Sequence, residues 1–123
     1  MDVFETRWFK KWSEKKGISY KDLIDAIDRT VKGLGIVDLG GNVYKIRIAK
    51  MGQGRSGGYR TILIYKTKKR SLFIYGFEKS DQDNIDSSTL NDYKRYAKEF
   101  LDYSDVEMNR IVENGTIFPL EEL

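Results

Sequence analysis

Apolar residues recur at helical spacing near the N-terminus, alternate with polar ones through the middle of the chain, and return to helical spacing after residue 87. Thr6 can cap a first helix that carries Trp8, Phe9 and Trp12 on one face and stops at Gly17. Ser19 opens a second, with Leu23, Ile24, Ile27 and Val31 on its apolar face and Asp22 at the third position; Gly33 and Gly35 end it. Strand-like alternation then covers residues 35–39, 42–49, 59–66 and 71–77, and the polar stretch Thr67-Lys68-Lys69-Arg70 makes a hairpin between the last two. Ser87 or Ser88 starts a third helix, carrying Leu90, Tyr93, Ala97, Phe100 and Leu101. Ser104-Asp105-Val106-Glu107 is a capping box for a short fourth helix, ended by Gly115, and the tail around Pro119 is extended.

This order predicts an α+β fold: two N-terminal helices, an antiparallel sheet of about four strands, then one or two helices. The helices would cover one face of the sheet and leave the other to polar residues. The 123 residues suffice for one domain, with 104–123 a helical and extended tail. Phe73, Tyr75, Phe77 and Lys79 would share one face of their strand, and Leu72, Ile74 and Gly76 the other.

The glycines around residue 54 raise the first chemical question. GQGRSG has the spacing G-x-G-x-x-G of a dinucleotide fingerprint. That fingerprint works where a strand ends in a tight turn and a helix begins, its free N–H groups facing a pyrophosphate. Here strand patterns lie on both sides, NVYKIRIAK before and YRTILIYK after, and the first acidic residue downstream is Glu78, at the end of another strand pattern. The motif is therefore a strand-to-strand loop. It is either a flexible turn or a place where phosphate can approach the backbone beside Lys50 and Arg55.

Composition narrows the chemistry further. The chain has neither cysteine nor histidine, which removes thiolate nucleophiles, disulfides, the commonest zinc ligands and the commonest general base. No stretch approaches the roughly 20 apolar residues of a membrane span, and the N-terminus lacks a signal-peptide core, so a cytoplasmic protein without membrane contact is expected. No metal or cofactor is implied.

Charge changes the picture most. Residues 1–70 carry a net +10 and residues 71–123 a net −7; between Leu39 and Phe77 there are nine basic residues and no acidic one. Solvated strand faces usually mix signs, because like charges repel across neighbouring strands. An unmixed basic segment on strands reads as a surface for a polyanion, nucleic acid first. Lys45, Arg47, Lys50, Arg55, Arg60, Tyr75 and Lys79 can converge around one concavity. Taken singly, each lysine or arginine is equally a solvated charge; Arg60 departs from this because it opens a strongly apolar strand directly after the glycines. Lys66, Lys68, Lys69 and Arg70 at the hairpin tip are explained by solubility and edge protection. Tyr59, Tyr65 and Phe73 read as core.

The succession YKIRIA, GQGRSGGYRTILIY, LFIYGFEKSDQDNI, TLNDYKRYAKEFL and MNRIVENGTI resembles the RelE/HigB-type toxins of bacterial type II toxin–antitoxin systems, within the RelE/ParE superfamily and nearest the HigB-like branch. The similarity runs from Phe4 to about Ile117, and its most specific parts are K-I-R, G-x-G-[KR]-S-G-G-x-R and G-F-x-K. It implies a small α+β toxin that cleaves mRNA in the ribosomal A site without metal or histidine. It also implies silencing by a cognate antitoxin, commonly a helix-turn-helix protein. By motif it assigns catalysis to Arg47, Arg60, Lys79 and Tyr75, and RNA binding to Lys45, Lys50, Arg55, Lys66 and Lys68. Glu78 stands where relatives often have a small residue, which bears on the protonation of Lys79. Two other readings remain open on this scaffold: a ParE-like DNA gyrase inhibitor, and a non-catalytic RNA-binding protein.

Overall fold

The computed structural model describes residues 1–50, 54–80 and 84–122 and, of residues 54–57, the backbone alone. Ten elements follow one another: β1 (Asp2–Thr6), α1 (Arg7–Lys16), α2 (Tyr20–Lys32), β2 (Ile36–Asp38), β3 (Val43–Lys50), β4 (Gly54–Lys66), β5 (Arg70–Glu78), α3 (Ser87–Asp102), α4 (Asp105–Glu113) and β6 (Ile117–Pro119). The fold is α+β, as the periodicity predicts, and the helix ends fall where the capping residues put them. Thr6 accepts from the Phe9 N–H, Ser19 and Asp22 form a reciprocal capping box, and Ser104 and Glu107 form another. Gly17 and Gly33 close α1 and α2 in left-handed conformation. α3 starts at Ser87, as expected, with Asp86 capping it by accepting from the Thr89 N–H at 2.7 Å.

The sheet departs from the expectation in two ways. It has six strands among the described residues, in the order β2-β3-β4-β5-β1-β6, and β1 runs parallel to β5 while the other pairs are antiparallel. Second, helices cover both faces. Phe9, Leu23, Ala26 and Ile27 of α1 and α2 pack on Ile46, Ile48, Leu63, Tyr65 and Phe73. Ala97, Phe100, Leu101 and Met108 of α3 and α4 pack on Val43, Ile62, Ile64 and Leu72. The basic residues therefore do not own a whole face. They occupy the part of the α3/α4 face where β3 and β4 turn from apolar to charged: Val43, Lys45 and Arg47 along one strand lie opposite Ile64, Ile62 and Arg60 on the other.

A β-bulge in β5 corrects the predicted alternation. Ile62 pairs with Tyr75 and Leu63 with Phe73, so Ile74 is the extra residue. Phe73 consequently faces α1 and α2, whereas Leu72, Ile74, Tyr75 and Phe77 all belong to the α3/α4 side. Strict alternation puts Phe73 with Tyr75 and Phe77; one inserted residue separates them and brings Tyr75 and Phe77 to the side of Arg60.

Candidate functional site

At the charged end of β3 and β4, Arg47 and Arg60 are directly opposite cross-strand partners. Like charges in that relation are unfavourable in a sheet, and Arg60 is moreover buried, at 5% exposure. Burial lowers the pKa of its guanidinium, and the charge of Arg47 lowers it further. Its Nη1 donates to Gly58 O at 3.2 Å, which folds the side chain back along its own strand. A cavity of about 510 Å³ opens here, lined by Lys45, Arg47 and Arg60 from the sheet and by Lys79 just beyond β5. Gly35, Ile36 and Val37 of the α2–β2 corner form its other wall. Lys45 Nζ also reaches Asn84 Oδ1 at 3.5 Å.

Sequence reasoning passed over one residue of this cavity. Arg29 of α2 lines it, with its Nε on Asp25 Oδ2 at 2.8 Å and its Nη1 donating to the carbonyl of Arg47 at 2.9 Å. It ties α2 to the backbone that carries Arg47. The i, i+4 pair Asp25/Arg29 is visible in the sequence but reads as an ordinary helix-surface pair; only the fold shows that the arginine is buried beneath the strand.

The other predicted site residues are placed elsewhere. Lys50 points to the α1/α2 face, where its Nζ and that of Lys16 each hold one carboxylate oxygen of Glu78 at 2.8 Å, and it also lies 5.8 Å from the Tyr59 ring. The hydrogen bond from Lys16, then that from Lys50, hold the Glu78 carboxyl at a pKa of about 2. Glu78 pairs across the strand with Tyr59, so it faces away from the cavity that Lys79 lines. The residue that put Lys79 in question is thus occupied on the far side of the sheet. Tyr75 shares the sheet face of Arg60 but does not line the cavity; its ring stacks on Trp8 at 4.6 Å and lies near Tyr93 and Phe77. Lys66 lines a separate cavity of about 460 Å³ with Lys69, Lys94 and Lys98, and Lys68 is exposed at the hairpin tip with φ 62°. The side chain of Arg55, and Met51 to Gln53 of the glycine-rich stretch, lie outside the described residues.

The glycines now have an explanation of their own. Most of the predicted loop is strand: β4 already begins at Gly54, and Lys50 pairs with it. The register slips between Ile48 and Lys50, and a side chain on Gly58 would place its Cβ 2.1 Å from Ile48 O and 2.8 Å from Lys50 N. Gly58 permits the β3 bulge to press against β4 two residues before Arg60.

With this geometry in view, the comparison with protein families is specific. The family model of the RelE toxin of the RelE/RelB toxin–antitoxin system matches residues 1–120. The chain belongs to the RelE toxin family. No curated protein and no solved structure matches it. Members of the RelE family are in general toxins that cleave mRNA, and the cationic cavity can hold a phosphate: a buried guanidinium braced on Gly58 O, an exposed one opposite it, and Lys45 and Lys79 on the same lining. No helix among the described residues is long and apolar enough to cross a membrane.

Proposed function

We propose that this RelE-family toxin is an endoribonuclease acting on mRNA in the ribosome, with the cavity between Arg47, Arg60 and Lys79 as its active site. The observation that carries this reading is the convergence of Lys45, Arg47, Arg60 and Lys79 on one cavity, with the buried Arg60 directly opposite Arg47, so that a phosphate lying between the two would meet both guanidiniums. Arg60 and Arg47 bind the scissile phosphate and the charge that grows on its non-bridging oxygens. Lys79 is the general base that takes the proton from the 2′-OH as that oxygen attacks phosphorus. The 5′ oxygen leaves with a proton from an arginine or a bound water, giving a 2′,3′-cyclic phosphate and a free 5′-OH. Lys50 is set aside as the base, because its Nζ lies on the Glu78 carboxylate, on the far side of the sheet from the cavity. Tyr75 is set aside as the acid, because it does not line the cavity.

Among the described residues of the site, no group stands ready to bend RNA into line for attack. The ribosome supplies that geometry, and Lys45 with the outlying Lys66 and Lys68 meets backbone phosphates, so association weakens steeply with salt. Family membership also implies an antitoxin. We take it to be a helix-turn-helix protein encoded next to the toxin, covering the basic cavity or the N-terminal helices. Residues 1–123 act as one domain in the cytoplasm, without metal or cofactor.

The test is to map 5′ ends of a defined mRNA in a purified translation system, with wild type and Arg60→Ala, each with and without ribosomes. New ends that need both ribosomes and Arg60 support the reading. An intact message in every lane overturns it and brings forward gyrase inhibition or RNA binding without cleavage.

A further inference from the structure

A second cavity, of about 330 Å³, shares no lining residue with the cationic one and has the opposite character. Four of its lining residues are carboxylates: Glu5 of β1, Glu14 of α1, and Glu121 and Glu122 of the chain end. Lys10 and Lys21 offset two of those charges, and Lys10 is committed, its Nζ lying 2.8 Å from Glu14 Oε1. Glu5 is the unusual member. It is only 6% exposed, it lies in the middle of a strand, and it makes no hydrogen bond or ion pair among the described residues. Its carboxylate oxygens open into the cavity rather than being shut off from solvent; a carboxylate placed so without a partner is partly desolvated and gains from an arriving cation.

We propose that this cavity receives an arginine side chain of a protein partner, its guanidinium closing on Glu5. A metal ion is a poor fit, since no three carboxylates among the described residues stand close enough to share one. A guanidinium fits better than an ammonium: it is planar, is less strongly hydrated, and pairs with a carboxylate through two N–H groups at once. Ile18, Leu23 and Leu120 give the apolar wall along which the stem of such a side chain would lie. The charge balance agrees, because Lys10 satisfies Glu14 and leaves one buried carboxylate over. Burial raises the pKa of Glu5, with Lys10 opposing and Glu14 reinforcing that shift; an arriving cation would reverse it. This inference does not rest on RNA cleavage, and the two readings fail separately.

The experiment is a titration of N-acetyl-arginine amide into the full, isotopically labelled chain, followed through backbone amide shifts. N-acetyl-citrulline amide, at matched ionic strength, serves as the neutral twin. Saturable shifts at Ser13, Ile18 and Leu120 with the arginine compound, absent with citrulline and about tenfold weaker in affinity in Glu5→Gln, are expected. Glu5→Gln alone should raise the thermal midpoint of the free protein by a few degrees, because it removes an unpartnered buried charge. Shifts that fail to saturate, that are the same in Glu5→Gln, or that are matched by citrulline overturn the proposal. So does a lowered midpoint in Glu5→Gln, which would make the carboxylate a structural group.

Discussion

Arg60 and Arg70 stand near opposite ends of the β4–β5 hairpin and are almost equally buried, at 5% and 8% exposure. Their roles differ: one fastens a helix end and the other lines the cationic cavity. Arg70 Nη1 donates to Phe100 O and Tyr103 O, each at 2.9 Å, its guanidinium lies 5.7 Å from the Phe100 ring, and Asp105 is 4.0 Å away. Lys66 is its cross-strand partner in β4, but the two carbonyls, the ring and the carboxylate around its guanidinium suit a cation, and the contacts fasten the end of α3 to the sheet. Arg60 has another arginine as its cross-strand partner, and that neighbour lowers its pKa. Burial alone therefore does not mark a site. A buried cation whose contacts fasten one element to another is a structural joint, and one that lines a cavity beside further cations is placed to meet a ligand of the other sign.

The largest expected effects come from exchanging the two arginines for methionine, which keeps the stem and deletes the charge. Arg60→Met should cut ribosome-dependent cleavage by about 10²–10³-fold, the scale for losing one preorganised donor to a developing oxyanion. Its stability should fall by less than that of Arg70→Met, since one carbonyl, Gly58 O, loses its donor while a like-charge cross-strand pair is removed. Arg70→Met should do the reverse: a loss of about 3 kcal/mol, from two carbonyls left without their donor, and unchanged cleavage per folded molecule. Chemical denaturation beside 5′-end mapping measures both. If Arg60→Met unfolds as readily as Arg70→Met, the contrast is wrong and Arg60 is a second joint.

Two glycines sharpen the comparison from the packing side. Gly58→Ala brings a methyl to 2.1 Å from the Ile48 carbonyl, a backbone atom that cannot swing away, so the β3 bulge has to open. We expect about 3 kcal/mol of destabilisation at the upper end of overpacking, together with loss of cleavage, since Arg60 is braced on Gly58 O. Gly76→Ala meets the Trp12 ring at 2.2 to 2.7 Å, a side chain able to shift. Its effect should be about 1–2 kcal/mol, with a change in tryptophan fluorescence from the Trp8, Trp12 and Tyr75 stack and cleavage retained. A Gly58→Ala variant as stable as wild type would show that the bulge does not depend on that glycine.

The contrast also explains what could be read from the sequence. Helix ends were legible because caps are local: Thr6, Ser19, Gly17, Gly33 and the Ser104/Glu107 box each act within a few residues. Arg47 and Arg60 were legible as a converging pair because β3 and β4 are joined by a short connection that fixes their register. What escaped depends on long-range placement. β1 is five residues with a charged Glu5 turned inward, and its partner lies about 68 residues away, so nothing nearby announces it. Arg70 sits in a run of exposed lysines, and its burial is decided by the end of α3. The β5 bulge at Ile74 has no glycine to signal it, and it alone moves Phe73 to the opposite face.

The smallest effect tests the insulation of Lys79 from its neighbour in sequence. Glu78 is held by Lys16 and Lys50 on the α1/α2 face, and its pKa falls from an ordinary 4.5 to about 2. A carboxylate with a depressed folded pKa adds stability that is complete above its unfolded pKa and is lost as the pH falls through the folded one. The clamp should therefore be present at neutral pH, weaken from about pH 4.5 downward, and be gone near pH 2. Glu78→Gln should have a lower thermal midpoint than wild type at pH 7, with the gap narrowing across that window and closing at its acid end. Because the clamp faces away from the cavity, the pH profile of cleavage near neutrality should be the same in both proteins. A cleavage profile displaced by Glu78→Gln would mean that the carboxylate does act on Lys79, and that the two faces of the sheet are not electrically separate at this strand end.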